Sequence, residues 1–225
     1  MRLSEEAEMA VRELRDLKRG RVLIGANEAG VHALLPLIAR FRQRHPQIQV
    51  DVRRVPSRQV GVEVMQGSLD FGVITFQPAE RGLQSLTIGP DELVMLVHPQ
   101  HPLASRKEVT MAEFGRETVI AHNDPSPARE RVLRAFEQKH APINIQLALP
   151  SLEAIKRAVE MKLGVALLPK RCALAEISRG QLAAVRVKQV RMARQLRLVY
   201  RRAGELSHAA AAFLEVARQQ HPPDA

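Results

Sequence analysis

Apolar positions recur along this chain at two spacings that trade places. In residues 3 to 19, Leu3, Ala7, Ala10, Leu14 and Leu17 follow one another at alternating steps of four and three. That rhythm predicts a helix with an a/d seam, closed by Gly20. The seam runs little more than two heptads, so a coiled-coil strand and an amphipathic helix packed on its own body both stay open. After Gly20 the rhythm changes. Val22-Leu23-Ile24 reads as a short buried strand, Leu34, Ile38 and Phe41 share a helix face with Pro36 in its first turn, and Ile48, Val50 and Val52 alternate as a half-buried strand. This is a βαβ unit. Val60 and Val64 mark a second helix, and the turn at Gly67-Ser68 leads into a strand at Phe71-Gly72-Val73-Ile74.

The same grammar returns further on. Phe41-Arg42-Gln43-Arg44-His45-Pro46 with Ile48 and Val50 is echoed by Phe136-Glu137-Gln138-Lys139-His140-Ala141-Pro142 with Ile143 and Ile145. Leu23-Ile24-Gly25-Ala26 likewise corresponds to Val119-Ile120-Ala121-His122, and Ile155 and Val159 give a helix face before the strand Val165-Ala166-Leu167-Leu168, which Pro169 stops. Two similar α/β lobes explain 225 residues better than one large domain. Glu92–His98 reads as a strand leading out of the first lobe and Arg194–Tyr200 as the strand that returns to it; a helix around Phe213, Val216 and Ala217 closes the chain. The expected fold is α/β, with two Rossmann-like βα lobes joined by two crossover strands. The expected division is a helix over 1–19, a first lobe from 20–97 with 198–225, and a second over 98–197.

Composition changes the picture in three ways. Hydrophobic residues make up 45% and charged residues 26%, a globular balance. A lone Cys172 rules out an internal disulfide. Lys and Arg outnumber Asp and Glu by 34 to 24, a net +10 that makes nucleic acid the first partner to test. Against it, no Trp, one Tyr and six Phe leave few platforms for stacking bases. The surplus also has an address. Eight basic residues and no acidic one lie between Arg179 and Arg202, which is not a DNA-reading helix; within it the return strand puts Leu196, Leu198 and Tyr200 on one face and Gln195, Arg197, Arg201 and Val199 on the other, a solvated or edge strand guarded by charge. Glu5, Glu6 and Glu8 near the start argue against a secretory leader, and no apolar run is long enough to cross a bilayer. A cytoplasmic protein with no membrane partner is expected.

In open parallel sheets ligands sit outside the carboxyl ends of the strands, where helix N-termini offer unpaired N–H groups. Here those places are the polar turns Asn27-Glu28-Ala29-Gly30, Pro56-Ser57, Thr75-Phe76-Gln77, Asn123-Asp124-Pro125-Ser126 and Pro150-Ser151. Ser57, Ser126 and Ser151 each precede a helical run and read as N-caps. Such turns suit a small carboxylate or similar anion; Glu28 suggests a ligand that also carries an amine or hydroxyl, or a carboxylate turned away. Reactive chemistry is harder to find. There is no phosphate-loop or dinucleotide glycine spacing, no His-Glu-x-x-His, no nucleophile elbow and no paired-cysteine metal site. His98 and His101 belong to a His-Pro-Gln-His-Pro run that reads as a rigid turn rather than a metal site. No catalytic residue, metal or cofactor is expected.

Taken in order, Arg19-Gly20-Arg21-Val22-Leu23-Ile24-Gly25, Leu34-Leu35-Pro36, His45-Pro46, Gly67-Ser68-Leu69-Asp70-Phe71-Gly72, Glu92-Leu93-Val94, His98-Pro99 with His101-Pro102-Leu103-Ala104, Ser151-Leu152-Glu153-Ala154-Ile155 and Gly164-Val165-Ala166-Leu167-Leu168-Pro169 resemble the effector-binding domain of LysR-type transcriptional regulators. The resemblance runs from about Gly20 to Phe213. It implies a periplasmic-binding-protein-like (type 2) fold, a small-molecule effector held between the lobes, and a homodimer or homotetramer. Carried over by position, it places the effector against Asn27, Glu28, Ser57, Thr75, Phe76, Asn123, Ser126, Pro150 and Ser151. Residues 1–19 resemble the end of the linker helix, and the winged helix-turn-helix that would reach DNA has no counterpart here. The first turn departs from relatives that carry Ser or Thr there. A stand-alone solute-binding protein, or an enzyme acting on a small carboxylate in the same cleft, is the alternative.

Overall fold

The computed structural model describes residues 20–78, 80–123, 125–188, 190, 195–202 and 206–221; the helix expected over 3–19 lies outside them, as do Asp124, Arg191 and Arg194. In chain order the elements are β1 (Arg21–Ala26), α1 (Glu28–Arg44), β2 (Gln49–Arg54), α2 (Val60–Met65), β3 (Phe71–Ile74), β4 (Gln84–Pro90), β5 (Leu93–Val97), β6 (Glu108–Val109), α3 (Met111–Arg116), β7 (Val119–His122), α4 (Pro127–Gln138), β8 (Ile145–Leu149), α5 (Leu152–Glu160) and β9 (Ala166–Pro169). A 3-10 turn (Lys170–Ala173) leads to α6 (Leu174–Ser178), β10 (Ala183–Val187), β11 (Gln195–Tyr200) and α7 (His208–Gln220). They form two compact units, Met1–Gly89 with Gln195–Ala225, and Pro90–Arg194.

The first unit is a five-stranded sheet in the order β2-β1-β3-β11-β4. β1 runs parallel to both β2 and β3, while β11 lies antiparallel to β3. On one face Val22, Ile24, Phe71 and Leu198 pack under α1 and α7, where Phe41 meets Phe213 edge-on with ring centroids 5.0 Å apart. On the other, Val55, Val60, Val64, Leu69 and Val199 form a smaller cluster. Gly72 makes that second layer thin, because a Cβ there would stand 2.0 Å from Val60 Cγ1.

Two expectations need correction in this unit. Pro36 is not in the first turn of its helix: Asn27 caps α1, so Pro36 falls well inside it, on the exposed face where water can serve the carbonyl its missing N–H leaves. β11 is neither solvated nor an edge. It sits between β3 and β4, and Val199, on the face expected to be wet, is fully buried. Part of the basic run has partners close by: Arg201 Nη1 donates to the carbonyls of Val64 (2.6 Å) and Leu69 (3.2 Å), and in the second unit Arg186 pairs with Glu92 at 3.4 Å and Lys188 with Glu108 at 3.1 Å.

The second unit holds a sheet in the order β6-β10-β5-β9 and the parallel pair β7-β8, linked to β9 through a parallel bridge between Val119 and Val165. β5, the strand expected to belong to the first lobe, is antiparallel to β9 and β10 here, which buries its continuous apolar run from Val94 to Val97. The chain entering this unit is tied down at once. Asp91, its side chain fully buried, pairs with Arg171, and the Lys170 N–H donates to the Glu92 carbonyl at 2.9 Å. Phe114 and Phe136 anchor the core with centroids 5.7 Å apart. α3 starts with a capping box in which Thr110 and Glu113 serve each other's backbone N–H groups. The Thr110 backbone hydrogen bond, reinforced by Arg106 at 2.6 Å, holds the Glu113 carboxyl down to about 2. No helix among the described residues is long and apolar enough to cross a membrane.

Candidate functional site

The parallel register of β2, β1 and β3 sends the turns after all three strands off the same edge of the first unit. Asn27 organises them. Its Oδ1 accepts from Gly30 N–H at 2.8 Å, capping α1, while its Nδ2 donates to Ser57 Oγ at 3.1 Å and so ties the first turn to the second. Gly30 permits this closeness, since a Cβ there would lie 3.2 Å from Asn27 Oδ1 and 3.3 Å from Val73 Cγ1. Glu28 opens α1 beside the cap. Ser57 does not cap α2 as expected: that helix begins after Gln59 with no side-chain cap, and the Ser57 hydroxyl turns to Asn27 instead. Thr75 and Phe76 follow β3, and the Phe76 ring packs against the cluster under α2.

The second unit repeats the arrangement with simpler means. β7 and β8 are parallel, so the turns after them also share an edge, and the Asn123 N–H extends the pairing by donating to the Leu149 carbonyl at 2.9 Å. Ser126 caps α4 by accepting from Arg129 N–H at 3.2 Å, and Ser151 caps α5 by accepting from Ala154 N–H at 3.1 Å. Pro150 is exposed ahead of that cap. Arg129, absent from the sequence reading, reaches back from α4 to donate to the His122 carbonyl at 2.8 Å. Its place one turn after the cap carries no spacing signal of its own. Among the described residues no group of three or more His, Cys, Asp or Glu is placed to hold a metal ion.

Asn27 is the position where loss is easiest to read. Asn27→Ala removes the cap and the tie to Ser57 together and is expected to lower stability by roughly 1–2 kcal/mol. Asn27→Asp keeps the cap, and the Ser57 hydroxyl can rotate to donate, so most of that loss should not occur. Urea denaturation of the three proteins checks the order.

Comparison with known proteins gives the turns a context. A family model described as LysR substrate binding domain matches residues 15–222. The probable RuBisCO transcriptional regulator of Cyanophora paradoxa is 30% identical over 204 residues, covering 88% of this chain; the chain spans 63% of that relative's length. Among solved structures, the regulatory domain of Synechocystis PCC6803 CcmR in complex with 2-PG superposes with a TM-score of 0.80 at 21% identity, over 90% of this chain and 98% of that one. The effector-binding domain of QuiR in complex with shikimate gives 0.75 at 18%, over 90% and 97%. The α/β architecture is therefore the periplasmic-binding-protein-like type 2 fold expected from the sequence.

Proposed function

We propose that this chain, which belongs to the LysR substrate binding domain family, is the metabolite-sensing part of a transcription regulator and takes a small organic anion or amino-acid-like molecule at its strand-end turns. The observation that carries the reading is the parallel register that brings polar turns from three strands to one edge, two of them joined by the Asn27–Ser57 tie. Asn27, Glu28, Ser57, Thr75 and Phe76 supply one set of contacts; Asn123, Ser126, Pro150 and Ser151 supply the other. The Asn, Ser and Thr side chains of this set can accept and donate around a carboxylate without a fixed counter-ion. Neighbours of the same fold carry such ligands, 2-PG in CcmR and shikimate in QuiR.

Control follows from linkage. A ligand that binds one arrangement of a homodimer or homotetramer more tightly than another shifts the balance by its differential affinity, and in a full regulator that shift would respace winged helix-turn-helix domains on DNA in the cytoplasm. The domain itself then has no reaction to catalyse.

A thermal-shift screen of organic acids, amino acids and sugar phosphates tests this. A ligand at about 100 times its Kd adds about 2.7 kcal/mol, which raises the Tm of a domain this size by several degrees. Thr75→Val and Ser151→Val should shrink the rise relative to each variant's own baseline. An undiminished rise in both would place the ligand elsewhere, and turnover of the hit would favour an enzyme.

A further inference from the structure

The second unit carries a recess of about 380 Å³ at the end of its sheet opposite the strand-end turns. The placement follows from strand direction. β7 and β9 are bridged in parallel at their amino ends, and β5 runs antiparallel to β9, so the residues after β5 and before β7 and β9 gather at one edge. We propose that this recess is a second binding site, for a small oxyanion such as a phosphate or carboxylate group, gripped by Lys162 and His98. The proposal uses none of the strand-end turns and stands or falls separately from the effector reading.

The chemistry of the lining sets the sign of the ligand. His101 Nε2 faces the Glu117 carboxylate at 3.4 Å, so the one acidic side chain of the recess already has a partner. Lys162 Nζ donates to Gln100 Oε1 at 2.7 Å, which positions the ammonium and uses one of its three donors. His98 Nδ1 accepts from the Gln100 N–H at 3.0 Å, which leaves the ring proton on Nε2 as a donor. The floor is backbone: a Cβ on Gly164 would lie 2.3 Å from the Thr118 carbonyl, so this side of the recess is closed by chain rather than by movable side chains. Its volume falls in the range of small-ligand sites.

Lys162 is also held in a conformation that its residue type disfavours. It occupies the left-handed position after α5 with φ +62, closing a Schellman motif in which its N–H donates to the Val159 carbonyl and the Leu163 N–H to the Ala158 carbonyl, both at 3.0 Å. Glycine is the usual residue there. The motif fixes the lysine backbone beside the recess and supplies a clean variant, because Lys162→Gly relieves the backbone while deleting the ammonium.

The test is a titration of the full chain with inorganic phosphate, followed by amide NMR at constant ionic strength with chloride as the reference salt. Saturable shifts are expected at Gln100, Leu103, Leu163 and Gly164. Lys162→Gly should melt at the same temperature or higher and bind about tenfold more weakly, the effect of one charge-assisted hydrogen bond. His98→Asn keeps an acceptor for the Gln100 N–H and loses only the Nε2 donor, so it too should weaken binding with the turn intact. Shifts that do not saturate, that persist unchanged in Lys162→Gly, or that appear only around Asn123, Ser126 and Ser151 would overturn the proposal.

Discussion

Gly115→Ala is expected to cost the protein at least about 3 kcal/mol, because no other glycine among the described residues has so close a neighbour where its Cβ would stand. Gly115 lies in the last turn of α3, and a Cβ on it would stand 1.7 Å from the Pro142 carbonyl oxygen and 2.7 Å from its carbon. Backbone cannot step aside as a side-chain tip can. The Gly115 carbonyl also accepts from the Asn144 N–H at 3.0 Å, which locks the two segments together. Separating them would pull α3 off the segment leading into β8 and loosen Phe114 and Phe136, both fully buried. Gly180→Ala is the control. Gly180 has φ +69 and open space around its Cβ direction, so that change should cost only the left-handed penalty, roughly 1–2 kcal/mol. Scanning calorimetry of both variants decides; similar losses would mean that the close approach at Pro142 relaxes freely.

Glu176→Gln is expected to lower stability by about 2 kcal/mol at neutral pH, below the roughly 3–5 typical of a broken buried pair because one partner remains. Lys156 extends from α5 with its side chain only 8% exposed and pairs with Glu176 on α6 and with Glu153 at 3.0 Å. Burial alone would lower the lysine pKa, yet the hydrogen bonds that Lys156 donates to Glu176 and Glu153 outweigh it and leave it raised; burial pushes Glu176 up, and Lys156 pulls it below its ordinary value. The two shifts set the pH window. The glutamate contribution is present above its unfolded value of 4.5 and disappears as pH falls through the lower folded value. The lysine contribution is complete below 10.5 and disappears as pH rises through the higher folded value. The gap between wild type and Glu176→Gln should therefore be widest between those limits and narrow in acid. Lys156→Met combined with Glu176→Leu should return to within about 1 kcal/mol of wild type, because an apolar pair avoids the desolvation. A gap that stays constant from acid to neutral pH would show that the loss comes from packing and not from charge.

What could be read from sequence follows from how local each signal is. Val22-Leu23-Ile24, the Leu34/Phe41 face and the Phe41 and Phe136 echo all report burial within a few residues, and each of these two phenylalanines lies near the end of a helix that feeds a strand. Ser126 and Ser151 cap because an N-cap is decided by the residue three places on. β4 was invisible: only Leu86 and Ile88 are buried in Gln84–Pro90, and Gly89-Pro90 looks like a turn, so the strand exists only because β11 pairs there. β10 hid in the basic stretch for a related reason, since Arg186 points to Glu92 while Val185 and Val187 face the core. Ser57 carries no local sign of its role, because its partner, Asn27, lies 30 residues away. Thr110-x-x-Glu113 was a legible capping box that would have revealed α3.

The position of β11 also sets an order of events on the ribosome. The first unit's sheet has its fourth member supplied from residues 195–200, between β3 and β4, so until that segment emerges β3 has one neighbour and β4 has none. The second unit is continuous in the chain, Pro90 to Arg194, and everything it needs has left the exit tunnel before the last strand of the first. Synthesis from the amino terminus therefore lets the inserted unit complete its strands while the unit begun earlier still has an open edge at β3, which closes only when β11 arrives from more than a hundred residues further along.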